Sequence, residues 1–129
     1  MTRDERRRVS RAIAAAEAGT TGRIAVRVIP DSSVDAFERA KHEFGRTGLH
    51  THPERNAALV LVAPKARRFA VIGDRAIHER VGDAFWSGVV REIEPMFARN
   101  AITDGIVAAV ERIGTCLHQY FPAAQERPE

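Results

Sequence analysis

Four residues carry side chains able to work on a ligand together: Arg55, Asn56, Asp74 and His78. Asp74 follows an apolar run through Gly73, where a backbone without a Cβ lets another group come close. Two readings of its carboxylate stay open. It could bind a hard divalent cation, Ca²⁺ or Mg²⁺, or act as a general acid or base; or it could cap the helical stretch RAIHE that follows. Arg55 and Asn56 directly precede the other apolar run. A guanidinium there could hold a phosphate or pair with Asp74, and the amide could orient either.

These residues frame two functions of different kinds. One is a divalent-metal-dependent phosphatase acting on small phosphate esters: Asp74 holds the ion, Arg55 and Asn56 steady the phosphate, and a metal-bound water attacks. The other is a non-catalytic module that binds a cation or a protein partner in assembly or stress. The hydrolase needs several oxygen ligands in one pocket, and the sequence offers one clear carboxylate at this edge. The module is therefore the leading expectation and the phosphatase the alternative.

Other chemistry-bearing residues read more simply. His50 and His52 lack the i, i+4 spacing of a helical metal pair, and with His42 and His78 they have no cysteine cluster beside them, so they are expected as surface or core-edge side chains. Ser32 and Ser33 have no histidine nearby and no G-x-S-x-G elbow; phosphate-loop and dinucleotide fingerprints are absent. Cys116 reads as a small core residue, Trp86 as core and Asp83 as a helix cap. Arg3, Arg6, Arg7, Arg8 and Arg11 interleave with Asp4 and Glu5 and include no aromatics, which describes a solvated helix face. Nucleic acid is not the expected partner.

The elements that must position these groups follow from periodicity. Residues 4–18 read as a helix with a thin stripe of Val9, Ala12, Ile13 and Ala16, stopped at Gly19. GRIAVRVIP alternates, with Ile24, Val26 and Val28 on one face and Ala25, Arg27 and Ile29 on the other, and Pro30 closes it. Asp31, Ser32 and Ser33 offer caps to a second helix whose stripe is Val34, Phe37, Ala40 or Lys41, and Phe44, ended by Gly45 and Gly48. A loop through RTGLHTHPERN leads to two valine-rich runs, 57–63 and 68–73. The four residues Pro64 to Arg67 can join them only as an antiparallel hairpin, and the unbroken apolarity of ALVLVA predicts a central strand covered on both faces. Asp74 opens a short turn that Gly82 breaks. A longer helix then carries Phe85, Trp86, Val89, Val90, Ile93, Met96 and Phe97, with Pro95 expected to kink or end its last turn. A final helix starts at Thr103 or Asp104 and buries Ile106, Val107, Val110, Ile113, Leu117 and Tyr120.

The order α-β-α-β-β-α-α predicts an α/β fold, a three-layer α/β/α sandwich on a small mixed sheet. A right-handed crossover through the second helix makes the first two strands parallel. Thr20, Thr21, Arg55, Asn56 and Asp74 to His78 then converge on one edge, and Asp31 to Ser33 with the Pro64 to Arg67 turn on the other. The general placement of ligands beyond the carboxyl ends of parallel strands points to the second edge, the motif cluster to the first, and the motif cluster is preferred.

The bulk numbers agree with a single domain over residues 1–122 and a frayed tail over 123–129. The 129 residues are 44% apolar and 29% charged, ordinary for a soluble protein. The net charge of +3 is mild, and only Lys41 and Lys65 of the basic residues are lysines. No apolar run approaches a membrane span. The charged N-terminus and the single cysteine lead to the expectation of a cytoplasmic protein.

Four stretches, AEAGTTGRIAVRV, TGLHTHPERNAALVLVA, FAVIGDRAIHERVGDAFW and IVAAVERIG with the later CL and YFP, resemble the TPM domain in its short bacterial form. The resemblance covers about residues 10–122 in order. Its most specific parts are Arg55-Asn56, the block Ile72-Gly73-Asp74-Arg75 with Ile77 and His78, and Phe85-Trp86. The family takes its name from thylakoid-lumen, photosystem II-associated and receptor-modulating proteins, and its members are often called phosphatases. The resemblance implies an α/β sandwich and divalent-cation binding in the loops. Membrane-associated members look like a signal peptide, this domain and a hydrophobic C-terminal helix; this sequence shows neither flank. Arg23 stands where similar short members have an acidic residue, and Ala57 where they have glycine. If that acid is a ligand, its replacement by arginine weakens cation binding.

Overall fold

An apolar run with no polar break can be a strand only if both its faces are covered, and β2 (Ala57–Ala63) is buried at every residue. A computed structural model describes residues 1–30 and 35–123. β1 (Arg23–Val28) pairs with β2 in parallel, Val26 opposite Val60, and β3 (Arg68–Gly73) pairs with it antiparallel, Val60 opposite Val71. The sheet is mixed, in the order β1-β2-β3. The Pro64–Ala66 segment makes a 3₁₀ turn, and Arg67 at φ 51° completes the expected hairpin.

The pleat sends alternate β2 side chains into two cores. Ala57, Leu59, Leu61 and Ala63 join Ile29, Ala40, Phe44 and Leu49 beneath α2 (Ala36–Arg46). Ala58, Val60 and Val62 join Val9 and Ala16 of α1 (Arg3–Glu17), Ile77, Val89, Ile93 and Phe97 of α3 (Arg75–Ala98), and Ile106, Val110, Ile113 and Leu117 of α4 (Ile102–Tyr120). One helix thus covers one face of the sheet and three cover the other, in the expected order α-β-α-β-β-α-α. Gly82 breaks α3 as its sequence predicts, at φ 69° and ψ −177°, a backbone region almost confined to glycine. The helix runs through Pro95 and ends three residues later. The thiol of buried Cys116 is pushed up by burial, consistent with a core role.

Several expectations are corrected. Phe37 belongs to no buried stripe and is 53% exposed; α2 buries Ala36, Ala40, Glu43 and Phe44 instead. The helix is capped by Asp35, whose carboxylate accepts from the N–H of Phe37 and Glu38, and it continues through Gly45. The expected caps at Asp31 to Ser33, the stripe position Val34 and the tail beyond Ala123 lie outside the described residues. Val28, expected on the buried face, is 42% exposed at the end of β1, an edge strand of the sheet. α4 starts at Ile102 without a side-chain cap, and Thr103 is buried. Asp83 accepts no backbone N–H among the described hydrogen bonds; 94% exposed, its carboxylate lies 3.4 Å from His78 Nε2.

Candidate functional site

The hairpin and the β1-α2-β2 crossover bring Thr21, Arg55, Asn56 and Asp74 to one edge of the sheet, as the topology predicts. Arg55 sits at φ 56°, a left-handed conformation that turns the chain into β2 and lets its carbonyl accept from the Ala76 N–H at 3.1 Å. From there the guanidinium meets Asp74 side-on, with Nε 2.6 Å from Oδ2 and Nη2 2.9 Å from Oδ1. Asp74 is also the N-cap of α3, its Oδ1 accepting from the Arg75 N–H at 2.7 Å. Burial, the largest single influence on this carboxyl, opposes its ionisation. The Arg55 hydrogen bonds, the Arg75 N–H and the two positive charges together outweigh it, so the group lies below its ordinary value. Of the readings the sequence left open, Asp74 takes the helix cap and Arg55 the pairing with Asp74.

The other two predicted residues do not join this carboxylate. Asn56 is fully buried and its Nδ2 donates to Thr21 Oγ1 at 2.9 Å; its Oδ1 has no protein partner. His78 turns toward Asp83. The sequence reading missed the rest of the network: Thr21 donates to Glu54 at 2.7 Å, and His52 Nε2 lies 2.8 Å from the Thr21 carbonyl. Position offered a signal for Thr21, already placed at this edge, but none for His52 or Glu54, whose roles depend on the loop's path. Gly73 is needed for close approach, as expected, and the approaching group is Trp86, whose Cζ2 would lie 2.5 Å from an added Cβ.

A divalent cation does not fit this arrangement. Both Asp74 oxygens are engaged by guanidinium and backbone N–H donors, and two arginines stand beside them. Among the described residues, no group of three His, Cys, Asp or Glu side chains is placed to hold a metal ion.

A second surface carries polar groups without internal partners. β3 is an edge strand, and nothing among the described residues pairs with its outer side. Asn56 and Val62 of the central segment give their carbonyls to β1, and Ala57 gives its carbonyl to Asp74 of the β3 side. The alternation of an antiparallel ladder then points the N–H and C=O of Phe69, Val71 and Gly73 away from the sheet. Two gaps follow this edge. One of about 500 Å³ lies among Asp35, Phe37, Arg67, Arg68, Phe69, Val90, Glu94 and Phe97. The other, about 220 Å³, lies among Phe37, Val71, Gly73, His78, Asp83 and Trp86. Phe37, the exposed residue that the stripe reading had placed in the core, lines both.

A parallel pair extended by an antiparallel hairpin, with one helix on one face and three on the other and a salt-bridged polar edge, defines a small α/β sandwich domain. Its family is equally clear: the TPM domain model matches residues 1–116, and the chain belongs to the TPM domain family. The BA42 protein of the psychrophilic bacterium Bizionia argentinensis is similar to it, at 30% identity and TM-score 0.87 over 97% of this chain and 86% of that one. The N-terminal domain of cg2496 from Corynebacterium glutamicum shares the fold at 14% identity, TM-score 0.73, over 99% of this chain and 81% of that one. No curated protein matches the chain. Among the described residues no helix is long and apolar enough to cross a membrane.

Proposed function

We propose that this TPM domain is a non-catalytic protein-binding module whose contact surface is the outer edge of β3 beneath Phe37. One observation carries the reading: three residues of β3 direct backbone donors and acceptors outward between two gaps lined by both apolar and charged side chains, and a phenylalanine half-exposed to water lines both. Exposed aromatics beside open strand edges are features of contact surfaces. The polar edge supports the same conclusion from the other side. Its arginine and aspartate satisfy each other, which suits a structural clamp better than a phosphate cradle.

Two measurements test this. Hydrolysis of p-nitrophenyl phosphate, with and without Mg²⁺ or Ca²⁺, is expected to stay at the buffer rate; turnover abolished by Asp74→Ala would restore the phosphatase. Selection from a random displayed-peptide library is expected to recover binders that Phe37→Glu no longer retains. Failure to recover any peptide sensitive to Phe37 would sink the module.

A further inference from the structure

We infer that the β3 edge takes up an extended peptide as an added antiparallel strand, with an acidic residue or the peptide's own C-terminal carboxylate at the Arg67–Arg68 end. The inference rests on the protein-binding reading and names the chemistry of the partner. The two edges of the sheet differ in how they are guarded. β1 carries Arg23 and Arg27 and is followed by Pro30, the charges and proline that blunt an edge against pairing. β3 has Arg68 at its start and then Phe69 to Gly73 with no charge, proline or bulge, in unbroken register with β2. Its outward N–H and C=O groups on Phe69, Val71 and Gly73 form the ladder that strand addition uses.

The walls suit the alternating side chains of one strand. Those on one face would meet Trp86, Val90 and Phe97 of α3; those on the other would pass Phe37 of α2. An apolar residue at every second position follows.

Charge sets the direction. Arg67 and Arg68 are exposed, with no ionic partner among the described residues, at the start of β3. Glu94 and Asp35 line the same gap, and the Asp35 charge is offset in part by the N-terminus of α2, whose Phe37 and Glu38 N–H groups donate to its Oδ1, which leaves the two guanidiniums as the less compensated charges there. At the Gly73 end stand His78 and exposed Asp83. An added strand antiparallel to β3 begins at Asp83 and ends at the two arginines, placing its amino end by an acid and its carboxyl end by cations.

The test uses a synthetic peptide of about seven residues, alternating valine and threonine and ending in a free glutamate, titrated into the whole ¹⁵N-labelled chain. The amides of Phe69, Val71 and Gly73 should shift and become protected from exchange. N-methylating the peptide residues whose N–H groups face β3 should weaken binding roughly tenfold or more, while methylating the alternate set should not, because only the first set loses ladder bonds. Arg67→Ala with Arg68→Ala, or an amidated peptide ending in glutamine, should each weaken binding about threefold, as expected for exposed charges. Val71→Pro removes one outward N–H while leaving the β2 ladder intact; should it fail to fold, the N-methylated pair decides alone. Binding that moves Phe37 and Trp86 but ignores both methylation patterns would overturn strand addition while keeping the contact surface. No response at Phe37, Trp86 or the β3 amides to this peptide or to library peptides would overturn both. A dimer that forms with concentration and is displaced by the peptide would assign the edge to a second copy and overturn the inference.

Discussion

Arg55→Ala should destabilise the domain by roughly 2–3 kcal/mol. Removing one member of a buried ion pair costs about 3–5 kcal/mol because the other charge is left without a partner. Here the Asp74 side chain is 7% exposed and the Arg55 side chain 35%, so water already screens part of the interaction and the estimate falls to roughly 2–3 kcal/mol. Alanine keeps a Cβ, so the left-handed backbone at position 55 costs about the same in both proteins; Arg55→Gly would relieve that strain and mix two effects. In urea, with a slope of about 1.5 kcal/mol per molar, the midpoint should drop by roughly 1.5 M. The difference should also depend on pH with a definite sign. In the native protein the Asp74 carboxyl is depressed, so its stabilisation is present above its ordinary value and lost as pH falls through the lower folded one. Without Arg55, burial is opposed only by the Arg75 N–H and charge, so the depression of the folded value shrinks and the variant loses less stability on acidification. The two curves should converge as pH falls from the ordinary value of 3.8 toward the depressed native one. An unchanged or raised midpoint at neutral pH would refute the clamp, because charges held ready for a ligand are often kept at a cost to stability.

Glu43 offers a second pH-dependent test. It is buried and its carboxylate accepts from Arg46 and Arg27, with Arg39 at 3.6 Å; the Arg46 hydrogen bonds lead in holding it down, against burial, at about 2. Glu43→Gln should cost about 1–3 kcal/mol at neutral pH, and the native advantage should fade from the ordinary value of 4.5 down through about 2, checked by denaturant melts across that range. Gly114→Ala should lower the melting temperature by roughly 5–10 °C, because the new Cβ would lie 2.6 Å from that of Ala16 and force α1 from α4; a circular dichroism melt reads it. Leu59→Ala, at a fully buried site of the central strand, should cost about 3–4 kcal/mol in equilibrium unfolding.

What the sequence revealed, and what it hid, divides along a physical line. The hairpin was legible because four residues cannot make a parallel crossover, and β2 because an apolar run of strand length has nowhere to lie except between two layers. The break at Gly82 and the meeting of Arg55 with Asp74 follow from local chemistry combined with topology. The errors concern groups whose environment is set by distant chain. Phe37 reads as core by its aromaticity, yet α2 is rotated to bury Glu43, where Arg46 and Arg39 of its own helix and Arg27 from β1 meet its carboxylate. Asn56 looked like a ligand-facing amide, but its partner is Thr21, contributed by the loop before β1. His78 and Asp83 were assigned apart, and the turn at Gly82 brings them within an ion pair's reach.

The segment after α4 is joined to the loop after α1 in a way that has practical weight. Thr21 N–H donates to the Phe121 carbonyl, Ala123 N–H to that of Gly19, and Thr20 bridges to Pro122. Thr21 also belongs to the Asn56 and Glu54 network. Ala123 therefore lies beside the polar edge, at the opposite end of the strands from Arg67 and Arg68. A tether, dye or surface anchor attached at the C-terminus would hold the domain by that edge and leave the arginine end of β3 pointing outward.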